Sequence, residues 1–140
     1  MDEHAELVDR LRERLQGTAF YRWPGIELVD ASPWHAEIVF QAGPEHVNLQ
    51  GLVHGGMLAT VADTAMGLAV RTSLESGRRH VTVQLSIEFL SPGKSGRIVA
   101  HGHTVKIGRQ LGFAEAEVVD ARGHVLARAR STLSVTAARD

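Results

Sequence analysis

Between His54 and Ser73 the apolar residues Met57, Leu58, Val61, Ala62, Ala65, Leu68 and Ala69 recur at steps of three and four, with no proline among them. That spacing predicts one long helix. Only Thr60, Asp63, Thr64, Arg71 and Thr72 interrupt its apolar surface, so the helix needs other structure wrapped around it. Leu7, Val8, Leu11 and Leu15 repeat at the same period among alternating charges, which predicts a short amphipathic surface helix over 3 to 15, ending near Gly17.

Elsewhere the period is two. Residues 26 to 41 read as two strands around a turn from Asp30 to Pro33, because Trp34, Ala36, Ile38 and Phe40 alternate against His35, Glu37 and Val39. A Gly- and Pro-containing loop follows from Ala42 to about Gly51. Over 81 to 90, Val81, Val83, Leu85, Ile87 and Phe89 alternate with Thr82, Gln84, Ser86 and Glu88, which sets the apolar set on one face. SPGKSG reads as a turn, 97 to 107 as a strand, and 107 to 110 as another turn. Residues 111 to 119 form the next strand with Glu115 and Glu117 outward, DARG at 120 to 123 signals a hairpin, and 124 to 135 is the last strand. Helix, two strands, long helix and four strands in meander together predict an α+β fold, an antiparallel sheet curled around one central helix.

Composition narrows the function. A chain of 140 residues suits one domain, and a formal net charge of −1 without long runs of like charge gives no basis for binding nucleic acid or an anionic membrane surface. There is no cysteine, hence no disulfide and no thiolate nucleophile or metal ligand. The first residues are acidic and lack an apolar core, unlike a signal peptide, and Asp63 breaks the longest apolar run before the ~18 residues a membrane span needs. A soluble, cytoplasmic protein is expected.

Asp63 is the anomaly, because an aspartate is seldom buried unless it is paired. Around it stand Asn48, then His54 with Gly55 and Gly56, then ADTA, followed by VTVQLSIEFLSPGKSG and the KIGR turn. In this set of residues the chain resembles the hotdog-fold acyl-CoA thioesterases of the phenylacetate-pathway (PaaI-like) type, over about residues 20 to 136. The resemblance implies a single hotdog domain across 1–140, with 1–17 as an added surface helix. It also implies hydrolysis of an aryl- or acyl-CoA thioester to free acid and CoA without metal or cofactor, and a homodimer or homotetramer with sites across the subunit interface.

The chemistry of the residues agrees with that implication. The first turn of a helix has unpaired N–H groups and about half a positive charge, so the Gly55 amide suits a carbonyl oxygen becoming an oxyanion. Asp63 would attack the carbonyl carbon or take a proton from the attacking water. Eight residues of helix separate the two by about 12 Å along the axis, whereas attack needs ~3 to 3.5 Å. A two-fold dimer in which Gly55 of one subunit meets Asp63 of the other is the economical solution. By resemblance, Asn48 and His54 position the thioester and the loop before the helix, Thr82 holds the water, and Lys106, Gly108 and Arg109 meet the CoA nucleotide. The strand alternation turns Thr82 away from Val81 and Val83, so it reaches the site only through a bulge or the partner subunit.

Plainer readings exist for each residue. Asp63 taken alone suits a buried carboxylate paired with an arginine or capping a neighbouring chain, His54 and Gly55 a helix cap, Asn48 a turn, and Thr82 an ordinary strand position. His101 and His103 make an H-x-H without a third ligand at recognisable spacing, so no metal site is expected. No phosphate-binding loop and no G-x-S-x-G is present. The competing functions are a non-catalytic acyl-CoA binding or sensing protein and, below it, a hotdog hydratase or dehydratase. Leu49, Leu52, Met57 and Phe89 are candidates to line an acyl pocket.

Overall fold

A computed structural model describes residues 2–137. Asp2 caps α1 (Glu3–Gln16), its carboxylate accepting the His4 amide at 3.2 Å, and Val8, Leu11 and Leu15 form the buried stripe that their spacing predicts. Arg12 ties this helix to the first strand by donating to the carbonyls of Leu28 and Val29, both at 3.3 Å. A single turn, α2 (Ala19–Arg22), follows, too short to leave a period in the sequence.

Strands β1 (Ile26–Ser32) and β2 (His35–Ala42) pair antiparallel. The reversal lies at Pro33 and Trp34, later than expected, so Trp34 sits at the tip of the turn with φ of 75° and an exposed ring instead of facing the core. Its amide donates to Thr72 Oγ1 at 2.9 Å, which holds the turn against the far end of the central helix. Ala36, Ile38 and Phe40 point inward as their alternation predicts, and the strand runs on to an inward Ala42 where a loop was expected.

Helix α3 (Gly55–Ser73) is the central element. Leu58, Val61, Ala62, Ala65, Met66, Ala69 and Val70 are buried against the sheet, while Thr60, Asp63, Thr64, Gly67 and Leu68 are only half-covered. So one face of the helix is wrapped within the chain, and the other is a small-residue face that the chain itself leaves partly open. Contact on the wrapped side is close. A Cβ on Gly102 would stand 2.4 Å from the Ala65 carbonyl oxygen, so only glycine permits this approach of helix to sheet.

The remaining strands are β3 (Arg79–Phe89), β4 (Gly96–Ile107), β5 (Leu111–Asp120) and β6 (Val125–Thr136), and all six form one antiparallel sheet in the order β1-β2-β4-β5-β6-β3. The α+β, helix-in-curved-sheet architecture is as expected. The four-strand meander is not, because β3 pairs with β6 rather than β4. SPGKSG is a crossover and not a hairpin turn: Leu90 donates to the Leu126 carbonyl at the start of β6, and Gly93 accepts the Val53 amide just before α3. The chain thus passes the start of the helix on its way to the other half of the sheet.

The face assigned to β3 also changes. Val81, Val83 and Phe89 are exposed, whereas His80, Thr82, Leu85 and Ile87 are half-buried on the helix side. A bulge between Thr82 and Gln84 accounts for it, since one extra residue at Val83 lets Thr82 and Leu85 face the same way. Among the described residues no helix is long and apolar enough to cross a membrane.

Candidate active site

His54 is the N-cap of α3, and its Nδ1 accepts the Gly56 amide at 2.8 Å. Because Nδ1 is the acceptor, the ring proton belongs on Nε2. A Cβ on Gly56 would stand 2.9 Å from that Nδ1, so the second glycine of the pair is required by the imidazole cap. With the Gly56 amide taken by His54, the Gly55 amide has no acceptor among the described residues and stays available at the positive end of the helix. Phe89 lies over this point, its ring 3.2 Å from where a Gly55 Cβ would be.

Asn48 shapes the approach to the helix. Its Oδ1 accepts the amides of Gln50 and Leu52 at 2.9 and 3.2 Å, an Asx turn closed further by the Asn48 amide on the Leu52 carbonyl at 2.7 Å. His46 braces the loop from inside. Its Nδ1 accepts the Gly43 amide at 3.0 Å, its ring packs edgewise on Phe40 and Trp23, and its buried Nε2 has no partner among the described residues. Sequence reasoning passed over His46, for which a position in a polar loop gave no signal of burial.

Asp63 is half-buried on the open face of α3, and among the described residues it makes no ion pair with an arginine. Thr82 Oγ1 donates to its Oδ1 at 2.9 Å. The bulge in β3 is what brings Thr82 to Asp63 within one chain, and the partner subunit is not needed for it. Both line a cavity of about 400 Å³ between α1, α3 and β3, together with Arg14, Gly67, Arg71 and His80. His80, two residues before Thr82 on the same face, and Arg71, eight after Asp63, were readable by periodicity; Arg14 was not, since only the packing of α1 brings it here. His80 is pushed below the ordinary histidine range by burial first and then by Arg71, with Asp63 opposing.

The two halves do not meet within the chain. Gly55 and Asp63 lie on one unbroken helix, so the axial separation of about 12 Å stands. His54 and Gly56 line a separate cavity of about 290 Å³ with Phe20, Trp23 and Met57. Leu49, Phe20, Trp23, Phe89 and Leu90 are exposed apolar residues.

At the β4–β5 turn, Gly108 and Arg109 border a groove with Arg78, and Lys106 is exposed. The Gly108 amide donates to the Leu111 carbonyl at 2.7 Å, so it is not the free donor that a phosphate would need. Arg78 donates to the Arg109 carbonyl at 3.2 Å, which joins the two arginines into one basic corner. His101 and His103 do have acidic neighbours, supplied by sheet register rather than by sequence spacing: Glu37 at 3.1 Å and Glu115 at 3.2 Å. Each histidine takes its own glutamate, and among the described residues no three metal-binding side chains converge.

Residues 50–127 match the model of the thioesterase superfamily. Acyl-coenzyme A thioesterase 13 of Homo sapiens is 34% identical over 109 residues, which cover 76% of this chain and 77% of that protein. Among solved structures, the PaaI protein of E. coli from the phenylacetic acid degradation operon superposes with a TM-score of 0.88 at 22% identity, covering 98% of each chain. A thioesterase from Haemophilus influenzae superposes with a TM-score of 0.86 at 23% identity, covering 93% of this chain and 90% of the other. These likenesses establish the hotdog fold, and the family match with the sequence relatives establishes the rest: the chain belongs to the thioesterase superfamily and is a thioester hydrolase.

Proposed function

We propose that this protein hydrolyses acyl-CoA thioesters at two equivalent sites in a two-fold dimer, each built from Asp63 and Thr82 of one subunit and the Gly55 amide of the other. The observation that carries it is the pairing of a free helix N-terminal amide with a half-buried carboxylate on the open face of the same rigid helix. Two antiparallel copies of α3 laid face to face bring each Gly55 toward the other chain's Asp63, and the small residues Thr60 and Thr64 allow close approach. Strand β3 supports the same assembly. It is an edge strand of 11 residues carrying exposed Val81 and Val83, the kind of edge that pairs with another copy of itself.

In this reading the thioester carbonyl oxygen takes the Gly55 N–H as negative charge develops on it, and the helix dipole adds to the stabilisation. Thr82 fixes one carboxylate oxygen of Asp63 and leaves the other free to attack the carbonyl carbon or to take a proton from an attacking water. The C–S bond then breaks, the sulfur leaves with CoA as the thiolate, and a proton restores the thiol. His54 and Asn48 hold the helix start and its loop so that the Gly55 amide stays aimed outward. Arg109 with Arg78, and Lys106 beside them, receive the CoA phosphates at the β4–β5 corner through their charge.

The test is thiol release from a panel of aryl- and alkyl-CoA thioesters by wild type and Asp63→Ala. The variant is expected to keep its fold, read by circular dichroism, and to lose turnover about a hundredfold or more. Turnover near wild type in the variant on the best substrate would remove Asp63 from the chemistry. A single turnover in ¹⁸O-water then tests the nucleophilic role, because label on the Asp63 carboxylate arises only from an anhydride that water opens at the Asp63 carbonyl.

A further inference from the structure

We infer that the groove beside Asp63 is built for an acyl group ending in a carboxylate, which Arg14 and Arg71 hold at the end away from the thioester. This rests on the hydrolase reading above and names the substrate class of the same site.

Asp63, Gly67 and Arg71 follow one another at intervals of four on α3, so they lie along one helix face, with Arg71 about 12 Å further along the axis than Asp63. Gly67 leaves the middle of this line bare. An added Cβ would come no closer than 3.6 Å to His80 Cε1, so the glycine opens the groove rather than relieving a clash. Leu11, Leu15 and Leu68 line its sides. Those three walls suit methylene groups or an aryl ring, and Thr18, Tyr21 and Thr64 add polar groups to the lining.

Charge decides the far end. Among the described residues neither Arg14 nor Arg71 is within salt-bridge distance of a carboxylate. Arg71 directs its donors to the backbone carbonyls of Arg78, Glu75 and Leu74. It is pushed below the ordinary arginine range by burial first and then by Arg14, Arg10 and Arg78, so the charges acting on it are all positive. Between the two ends, His80 responds to Arg71 more than to Asp63. The far end therefore carries positive charge with no carboxylate beside it among the described residues: the Arg14 guanidinium is free to match a carboxylate, and Arg71, bound to the carbonyls, adds its charge behind it.

The experiment compares suberoyl-CoA with octanoyl-CoA, equal in chain length and different only at the terminus, on wild type, Arg14→Gln and Arg14→Lys. The Arg14 side chain makes no hydrogen bond among the described residues, so its replacement should leave the fold intact. Wild type is expected to favour suberoyl-CoA in kcat/KM by about tenfold or more, the size of effect a matched polar partner gives. Arg14→Gln should lose that preference through suberoyl-CoA alone, and Arg14→Lys should recover much of it. Equal or better hydrolysis of octanoyl-CoA by wild type, or an equal loss on both substrates in Arg14→Gln, would overturn the inference. So would a loss seen with CoA thioesters and not with the matching pantetheine thioesters, which would assign Arg14 to the CoA phosphates. If no thioester releases thiol, the hydrolase reading fails by itself. Calorimetric titration with suberate against octanoate then reads the groove directly, and absence of a suberate preference overturns the inference there too.

Discussion

At the residue scale the glycine pair divides its work. Gly56 exists for the cap, since the His54 ring leaves no room for a Cβ, while Gly55 carries the amide that the cap leaves free. Gly55→Pro isolates that amide. Proline is well tolerated at the first helical position, and His54 before it already has the extended backbone, ψ of 134°, that a following proline demands. The new ring meets Phe89, whose exposed side chain must swing aside, so the melting temperature should fall only slightly while turnover drops about a hundredfold to a thousandfold, as expected for an oxyanion donor. Full activity would show that the oxyanion is held elsewhere. His80 offers a pH signature at the same scale. Burial, then Arg71, lowers its folded pKa, so below the ordinary value of about 6.5 the unfolded chain binds the proton more readily than the folded one. Its contribution to stability is present above that value and is lost as the pH falls toward the lowered folded pKa. Melting temperature measured from pH 7 downward should fall less steeply in His80→Gln than in wild type; parallel curves would place that titration in another group.

At the scale of elements, the seam between α3 and β4 sets the geometry of everything on the helix. Gly102 stands against the Ala65 carbonyl, and a Cβ at 2.4 Å from backbone cannot be accommodated by a rotamer change. Gly102→Ala must move the helix or the strand, at a cost of about 1–3 kcal/mol or more. Its melting temperature should drop by several degrees, and turnover should fall because Asp63 rides on the helix and Thr82 on the sheet, so a shift between the two disturbs their hydrogen bond. An unchanged melting temperature would show that the seam is looser than this packing implies. The bulge in β3 belongs to this scale as well. It reverses the face of Val81 and Val83 and brings Thr82 and His80 to Asp63, a consequence that strict alternation along residues 81 to 90 conceals.

At the scale of the whole molecule, a site shared between subunits makes a prediction that no monomeric site can meet. Asp63→Asn and Gly55→Pro should each be inactive alone. Unfolded together in equal amounts and refolded, they should recover about a quarter of wild-type activity, since half of random dimers are mixed and each mixed dimer has one intact site of two. No recovery, with mixed dimers demonstrated by mass spectrometry, would mean that both groups must come from one chain.

What the sequence determined by itself was most of what depends on neighbours within a few residues, the short α2 and the exact place of the β1–β2 reversal excepted. The core stripe of α3, the inward set of β2, the limits of the last three strands and the cap at His54 all follow from short-range periodicity and turn chemistry, which a linear reading contains. The grouping of Asn48, His54, Gly55 and Asp63 was likewise visible, because these residues stand on one loop and one helix. Only the tertiary structure decided the crossing of β3 to β6, the extra residue at Val83, the exposed position of Trp34, the glutamates beside His101 and His103, and the arrival of Arg14 at the groove. Each of these is a contact between residues far apart in the chain. Register and packing select such contacts by fitting one surface to another, and no local pattern encodes that fit.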